Sequence, residues 1–131
     1  MPDYSYNKKQ RLKSRKSIET IFRNGRSISS PPFRLLYRES DQLPYPVLMT
    51  VAVPKRQVKR AVDRNLLKRR TREAYRLKKP DLLKAVGHKN TGYEIVFLYQ
   101  SSEILDYQQI SRSVSILLSR FETMVLKNNG F

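Results

Sequence analysis

Apolar residues recur along this chain with two distinct periods. From about Asp106 to Leu126, the positions Tyr107, Ile110, Val114, Leu117, Leu118, Phe121 and Val125 follow the 3.6-residue period of an amphipathic helix. Val47–Val53 (VLMTVAV) and Tyr93–Tyr99 (YEIVFLY) are short and mostly apolar on both faces. They read as covered strands, the first of them central and ended by Pro54. Pro31-Pro32 impose an extended entry into Phe33–Tyr37, where Phe33, Leu35 and Tyr37 point to one side. A first helix is expected from Ser14 to Asn24. Ser14 caps it, Ile18, Ile21 and Phe22 share a face, and Gly25 ends it. Asp41 to Pro46 reads as a turn rich in breakers, and Gly87 to Gly92 as a loop.

Between the second and third strands lies Lys55–Lys79, KRQVKRAVDRNLLKRRTREAYRLKK, with 12 Lys or Arg and two acids, Asp63 and Glu73. It predicts a helix from near Val62 to near Lys78, limited by Pro80. At 100° per residue, with Leu67 at the centre of the buried side, Leu66, Leu77, Ala74, Thr71 and Tyr75 fall within about 100° of it. Lys68, Arg72, Asn65, Arg76 and Arg69 gather opposite, Arg64 near the boundary. Arg70 falls on the apolar side, where it must snorkel or pair. The predicted order is α-β-β-α-β-α around one small sheet, an α+β two-layer sandwich. Residues 1–13 read as a flexible basic arm and 14–127 as a single α+β domain.

Charge narrows the partner. Twenty-seven cations against eleven acids leave a formal net charge of +16. Two acids cannot neutralise the twelve cations of the basic helix, so a face laced with salt bridges is a poor account of it. Self-repulsion on this scale destabilises a compact chain, and neutralising phosphates is its commonest purpose. At 131 residues the chain suffices for one domain with a real core. No apolar run approaches the roughly 18 residues of a membrane span, and no secretory apolar segment follows Met1. Without Cys, disulfides, thiolate metal sites and Cys nucleophiles are excluded. The expectation is a cytoplasmic protein with neither a membrane partner nor a small-molecule substrate. No cluster of carboxylates suits two-metal hydrolysis, Glu94 stands isolated, and the only His, His88, lies in a Gly-flanked loop. No catalytic residue and no protein-bound cofactor or metal is therefore assigned.

The segment VAVPKRQVKRAVDRNLLKRRTREAYR resembles the signature of the bacterial ribonuclease P protein subunit family. That signature has an extended strand ending in a Val-Ser-Lys-Lys-like run, then a helix with an Arg-Asn-Arg-x-Lys-Arg-x-x-Arg-like core. Here stand Val53-Pro54-Lys55-Arg56, Ala61-Val62, Arg64-Asn65, Lys68-Arg69 and Arg72-Glu73-Ala74-Tyr75. Upstream, Arg11-Leu12-Lys13, Ile21-Phe22-Arg23-Asn24-Gly25 and Phe33 to Tyr37 are similar to the family's first helix and strand. Leu66 replaces the usual second Arg, Pro54 interrupts the Lys-Lys run, and Ile18 holds a position that is often aromatic.

The resemblance implies a ribosomal-protein-like domain with a left-handed β-α-β crossover. It also implies a protein that binds ribonuclease P RNA and the 5′ leader of precursor tRNA. The leader is removed by the RNA and its Mg²⁺ ions. The implied RNA-binding set is Lys55, Arg56, Lys59, Arg64, Asn65, Lys68, Arg69, Arg72, Arg76 and Arg11. Phe22 and Tyr37 are candidate stacking residues in a cleft between the first helix and the sheet; Tyr37 can equally be core, and the face Phe22 shares with Ile18 and Ile21 favours core. The competing reading is a ribosomal or ribosome-assembly protein with no associated enzyme activity. The spacing of Arg64-Asn65, Lys68-Arg69 and Arg72, which charge alone does not demand, separates the two.

Overall fold

Four strands form one mixed sheet in the order β1-β2-β4-β3, where β1 is Arg26–Ser30, β2 Phe33–Asp41, β3 Val47–Ala52 and β4 Thr91–Tyr99. The computed structural model describes residues 4–41, 43–87 and 91–128. Antiparallel pairs join β1 to β2 and β2 to β4, and β3 runs parallel to β4. Three helices complete the fold: α1 (Arg15–Asn24), α2 (Ala61–Val86) and α3 (Tyr107–Asn128). The α+β class is as expected. The sequence reading lacked β1, whose polar RSISS carries no alternation beyond Ile28. The 87–92 loop expectation, with His88, falls largely outside the described residues.

Strand alternation divides the core. On one face Phe33, Leu35, Tyr37, Met49, Val51, Ile95, Phe97 and Tyr99 pack against Leu67, Ala74 and Tyr75 of α2 and the stripe of α3. Six of the seven predicted α3 positions are buried, and Tyr107 packs against them half-buried. The other face holds a smaller cluster of Leu36, Leu48, Val96 and Leu98 with Leu12 and Ile21, edged by Ile18. There α1 is fixed by polar contacts as well. Arg38 reaches buried Glu94 at 2.6 Å across the β2–β4 pair, and its Nη2 donates to Ser17 Oγ at 3.1 Å. Glu94 is thus ion-paired with Arg38. The helix opens on Ser14, whose hydroxyl accepts from Ser17 N–H, and ends at Gly25. A Cβ at Gly25 would stand 2.4 Å from the Ile21 carbonyl oxygen.

Three further expectations are corrected. Val47–Val53 is not central: β3 is an edge strand, apolar on both faces because each face of the sheet is covered there. Its free edge is closed by the N-terminal segment. The arm expected to be flexible packs from Ser5 to Leu12, because Tyr6, Gln10 and Leu12 find buried partners. Nor does Pro80 end the basic helix. A proline inside a helix costs about 3 kcal/mol. The turns beyond it bury Leu82, Ala85 and Val86, and a buried Val or Leu contributes about 1.5–3 kcal/mol each. Tertiary burial outweighs the break.

Candidate nucleic-acid interface

The N-terminal half of α2 has the two faces expected of it. Leu67, Thr71, Ala74 and Tyr75 are buried, whereas Asn65 and Arg69 are exposed and Lys68 and Arg72 half-buried. Leu77 departs from the wheel and is exposed. Arg70, on the apolar side, donates Nη1–H to the Leu105 carbonyl at 2.6 Å, the polar partner its position required. The acids of the segment are already engaged: Asp63 lies 3.9 Å from Arg60, and Glu73 2.6 Å from Arg76. The Arg76 contact holds the Glu73 carboxyl below its ordinary pKa. Among the described residues, Lys68, Arg69 and Arg72 form no ion pair with an acid. Their charge is available to a polyanion.

The loop ahead of α2 is built to hold cations outward. Val53 and Val58 are buried, while Lys55, Arg56 and Lys59 are exposed. The Pro54 carbonyl accepts from Gln57 N–H at 3.0 Å and from Val58 N–H at 3.1 Å, closing a tight turn around Lys55 and Arg56. Arg64 Nη1 donates to the carbonyls of Val58 and Lys59 at 3.1 and 2.7 Å. Arg64 therefore braces the loop against the helix.

Arg11 and Arg76 belong to the same side of the molecule through the N-terminal segment. Tyr6 donates its hydroxyl to the Met49 carbonyl at 2.7 Å and sets its ring edge-on to Tyr75, centroids 5.7 Å apart. The Arg11 guanidinium lies 5.5 Å from the Tyr6 ring centroid, within cation–π range. Burial pushes the Tyr6 hydroxyl pKa up, with Arg72 and Arg11 pulling the other way. Arg76 Nη1 donates to the Tyr4 carbonyl at 3.2 Å.

The two aromatic candidates part company. Phe22 is 43% exposed on α1 and free to stack. Tyr37 is only 7% exposed and faces the α2–α3 side of the sheet, away from α1. Its ring meets Phe121 edge-on at 5.1 Å, and its hydroxyl lies 2.8 Å from Met124 Sδ. Period-two alternation, which puts Tyr37 with Phe33 and Leu35, is why it is core and not a member of the α1 cleft. The sequence reading missed Arg34, which alternation places on the α1 side. It is exposed and aligned with Leu98 and Ala52 across three strands, at the sheet end where the loop to α2 departs. A cation on the second face of a strand that is otherwise buried was the available signal.

Among the described residues no three His, Cys, Asp or Glu side chains converge in a group able to hold a metal ion. No described helix is long and apolar enough to cross a membrane.

Fold and surface together define a small basic α+β domain with an ordered, outward-facing cationic helix and loop. The chain matches the family model described as Ribonuclease P over residues 6–122. It belongs to the ribonuclease P protein family. It is 33% identical over 121 residues to the "Ribonuclease P protein component" of Porphyromonas gingivalis, covering 91% of this chain and 88% of that one. With the protein of the same description from Aliivibrio salmonicida it shares 39% over 80 residues, 61% of this chain and 67% of the other. Among solved structures, the RNase P protein from Thermotoga maritima superposes with a TM-score of 0.65 at 25% identity, covering 84% and 96% of the two chains. The RNase P protein of Staphylococcus aureus gives 0.65 at 20%, covering 85% and 94%, a likeness of fold.

Proposed function

We infer that this chain is the protein component of a cytoplasmic ribonuclease P, a non-catalytic subunit of an endoribonuclease whose chemistry belongs to RNA. It binds the catalytic RNA and the 5′ leader of precursor tRNA, and assists Mg²⁺-dependent removal of the leader. The single observation that carries this reading is the outward row Asn65, Lys68, Arg69 and Arg72. It matches the family spacing, and its three cations lack acidic partners among the described residues. Lys and Arg in such a row take phosphates, and an Asn among them supplies a donor and an acceptor to sugars or base edges. Lys55, Arg56, Lys59 and Arg64 extend the row past the start of α2, and Arg11 and Arg76 flank it. On the α1 side, exposed Phe22 offers a ring on which a leader base stacks, and Arg34 offers a cation to its backbone.

The metal in this reading is held by RNA. Bound there, Mg²⁺ would supply activation of the attacking water and charge stabilisation at the departing oxygen. The protein's described carboxylates are not grouped to hold it, and its own share is to bind and align both RNAs. Reconstitution tests the proposal. The purified protein is expected to leave precursor tRNA intact. Added to a bacterial ribonuclease P RNA at limiting Mg²⁺, it is expected to raise the rate of 5′ leader removal. Metal-dependent cleavage by the protein alone, or no effect on the RNA's rate, overturns the proposal.

A further inference from the structure

Lys79 is fully buried, yet it lies on the basic helix that supplies the cationic face. Its ammonium donates to Gln10 Oε1 at 2.7 Å and to the Ser5 carbonyl. Gln10 is itself only 1% exposed and its amide donates to Ser5 Oγ at 3.2 Å. Burying an ammonium is costly unless it is well bonded. Here the bonds go to a segment of the chain some seventy positions away. That segment is a strap. It starts beside α2, where Tyr4 accepts from Arg76 and Tyr6 meets Tyr75. It then crosses the open edge of β3, where Arg11 and Met49 form a parallel bridge and Leu12 N–H donates to the Met49 carbonyl at 3.0 Å. It ends at Ser14, the cap of α1.

The strap thus runs from one of the two proposed RNA surfaces to the other. Its inward groups are Tyr6, Gln10 and Leu12. Its outward groups are Lys8, Lys9, Arg11 and Lys13, all exposed. Among the described residues none of the four forms an ion pair with an acid. A loose arm carrying these cations would have to be ordered at the moment of binding, at a cost in entropy for each residue fixed. A pinned one presents them already in place.

We propose that the strap is a third RNA-binding segment, whose Lys8, Lys9 and Lys13 join Arg11 in a continuous phosphate track from the α2 face to α1. Lys79 is its positioning residue. This rests on the RNA-binding reading above and adds to it the path the RNA backbone takes over the N-terminal side.

The test compares the salt dependence of binding to a bacterial ribonuclease P RNA for four full-length proteins. They are the wild type, K8Q/K9Q on the strap, K68Q/R69Q on α2, and K79M. Each double variant is expected to lower the slope of log K against log salt by about one to two. K79M is expected to lower it at least as far as K8Q/K9Q with an unchanged far-ultraviolet circular dichroism spectrum. It is also expected to make the strap more rapidly cut by trypsin. An unchanged slope in K8Q/K9Q alongside a lowered one in K68Q/R69Q overturns the strap proposal and leaves the α2 interface standing. Unchanged slopes in both overturn the RNA-binding reading itself. A K79M protein with wild-type slope and trypsin resistance removes Lys79 from its role. Because Lys8 and Lys9 are surface residues, their variant decides the question even where K79M does not fold.

Discussion

Lys79 Nζ and Gln10 Oε1 meet at 2.7 Å in the interior, both residues almost fully enclosed. The ammonium also donates to the Ser5 carbonyl, so removing Lys79 takes the donor from two acceptors at once, the buried Gln10 Oε1 among them. Lys79→Ala is expected to destabilise the fold by about 2–4 kcal/mol, the sum of a charge-assisted bond and an orphaned acceptor. A urea titration of the variant against wild type measures it. A loss below about 0.5 kcal/mol would show that the contact is incidental.

Tyr75 presents the opposite case. Its ring is packed between Tyr6 and Phe97, but its hydroxyl finds no hydrogen-bond partner among the described residues. Burial drives its pKa far up, so the phenol stays protonated throughout the working range. Tyr75→Phe keeps the packing and removes the stranded polar group. It is expected to stabilise by about 1 kcal/mol, seen as a higher unfolding midpoint. Destabilisation of similar size would mean that the hydroxyl is bonded after all.

Phe22 and Tyr37 are aromatic residues with opposite predicted phenotypes. Phe22→Ala removes an exposed ring, so stability should move by less than about 0.5 kcal/mol. Affinity for a precursor tRNA with a leader should fall by about 1–3 kcal/mol, with little change for mature tRNA. Tyr37→Ala deletes a buried ring against Phe121 and should cost about 3–5 kcal/mol of stability. Leader binding and chemical denaturation, run on both variants, separate the two roles. A Phe22 variant that unfolds readily yet binds normally would reverse the assignment.

Arg69 is exposed and Arg70, next to it, donates to the Leu105 carbonyl. Neutralising Arg69 is expected to reduce the salt slope of RNA binding by about one and leave stability nearly unchanged. Arg70→Ala should do the reverse, costing about 1.5–3 kcal/mol of stability through the lost charge-assisted bond. Equal salt slopes for Arg69→Ala and wild type would remove Arg69 from the interface.

Glu122 on α3 carries a pKa raised first by burial and second by Asp81. A carboxyl whose folded pKa exceeds its unfolded value binds its proton more tightly in the native state. Stability attributable to it is therefore complete below the unfolded value, about 4.3, and is lost as pH rises through the folded one. Glu122→Gln should flatten this decline, so that the variant gains on wild type as pH rises above that range. Thermal unfolding across pH 4–7 reads the difference, and parallel curves for the two proteins would refute the shift.

Much of the fold was legible because periodicity reports burial. The stripe from Ile110 to Val125, the alternation of Phe33, Leu35 and Tyr37, and, except at Leu77, the split of α2 about Leu67 hold. What escaped depended on distant partners. Val47–Val53 is apolar on both faces, a pattern shared by a central strand and by an edge strand with both faces roofed. Pro80 is a local stop signal, overruled by Leu82 and Val86, whose burial depends on the sheet. Ser5, Tyr6 and Gln10 look like a polar tail until Lys79 and Met49 are beside them. On α2, the outward direction of Lys68, Arg69 and Arg72 was recognisable from the helical period. Tyr37 was placed on a binding surface although its own strand pattern assigned it to the core.

An edge strand as apolar as β3 would be a template for pairing between chains. The strap occupies that edge, with Tyr6 and Leu12 both bonded to the Met49 carbonyl. The order of synthesis favours it: Tyr6 and Leu12 are made before Val47. The guard is therefore on hand before the strand it guards. A chain shortened by residues 1–13 would leave that edge open, and pairing between copies would compete with the fold.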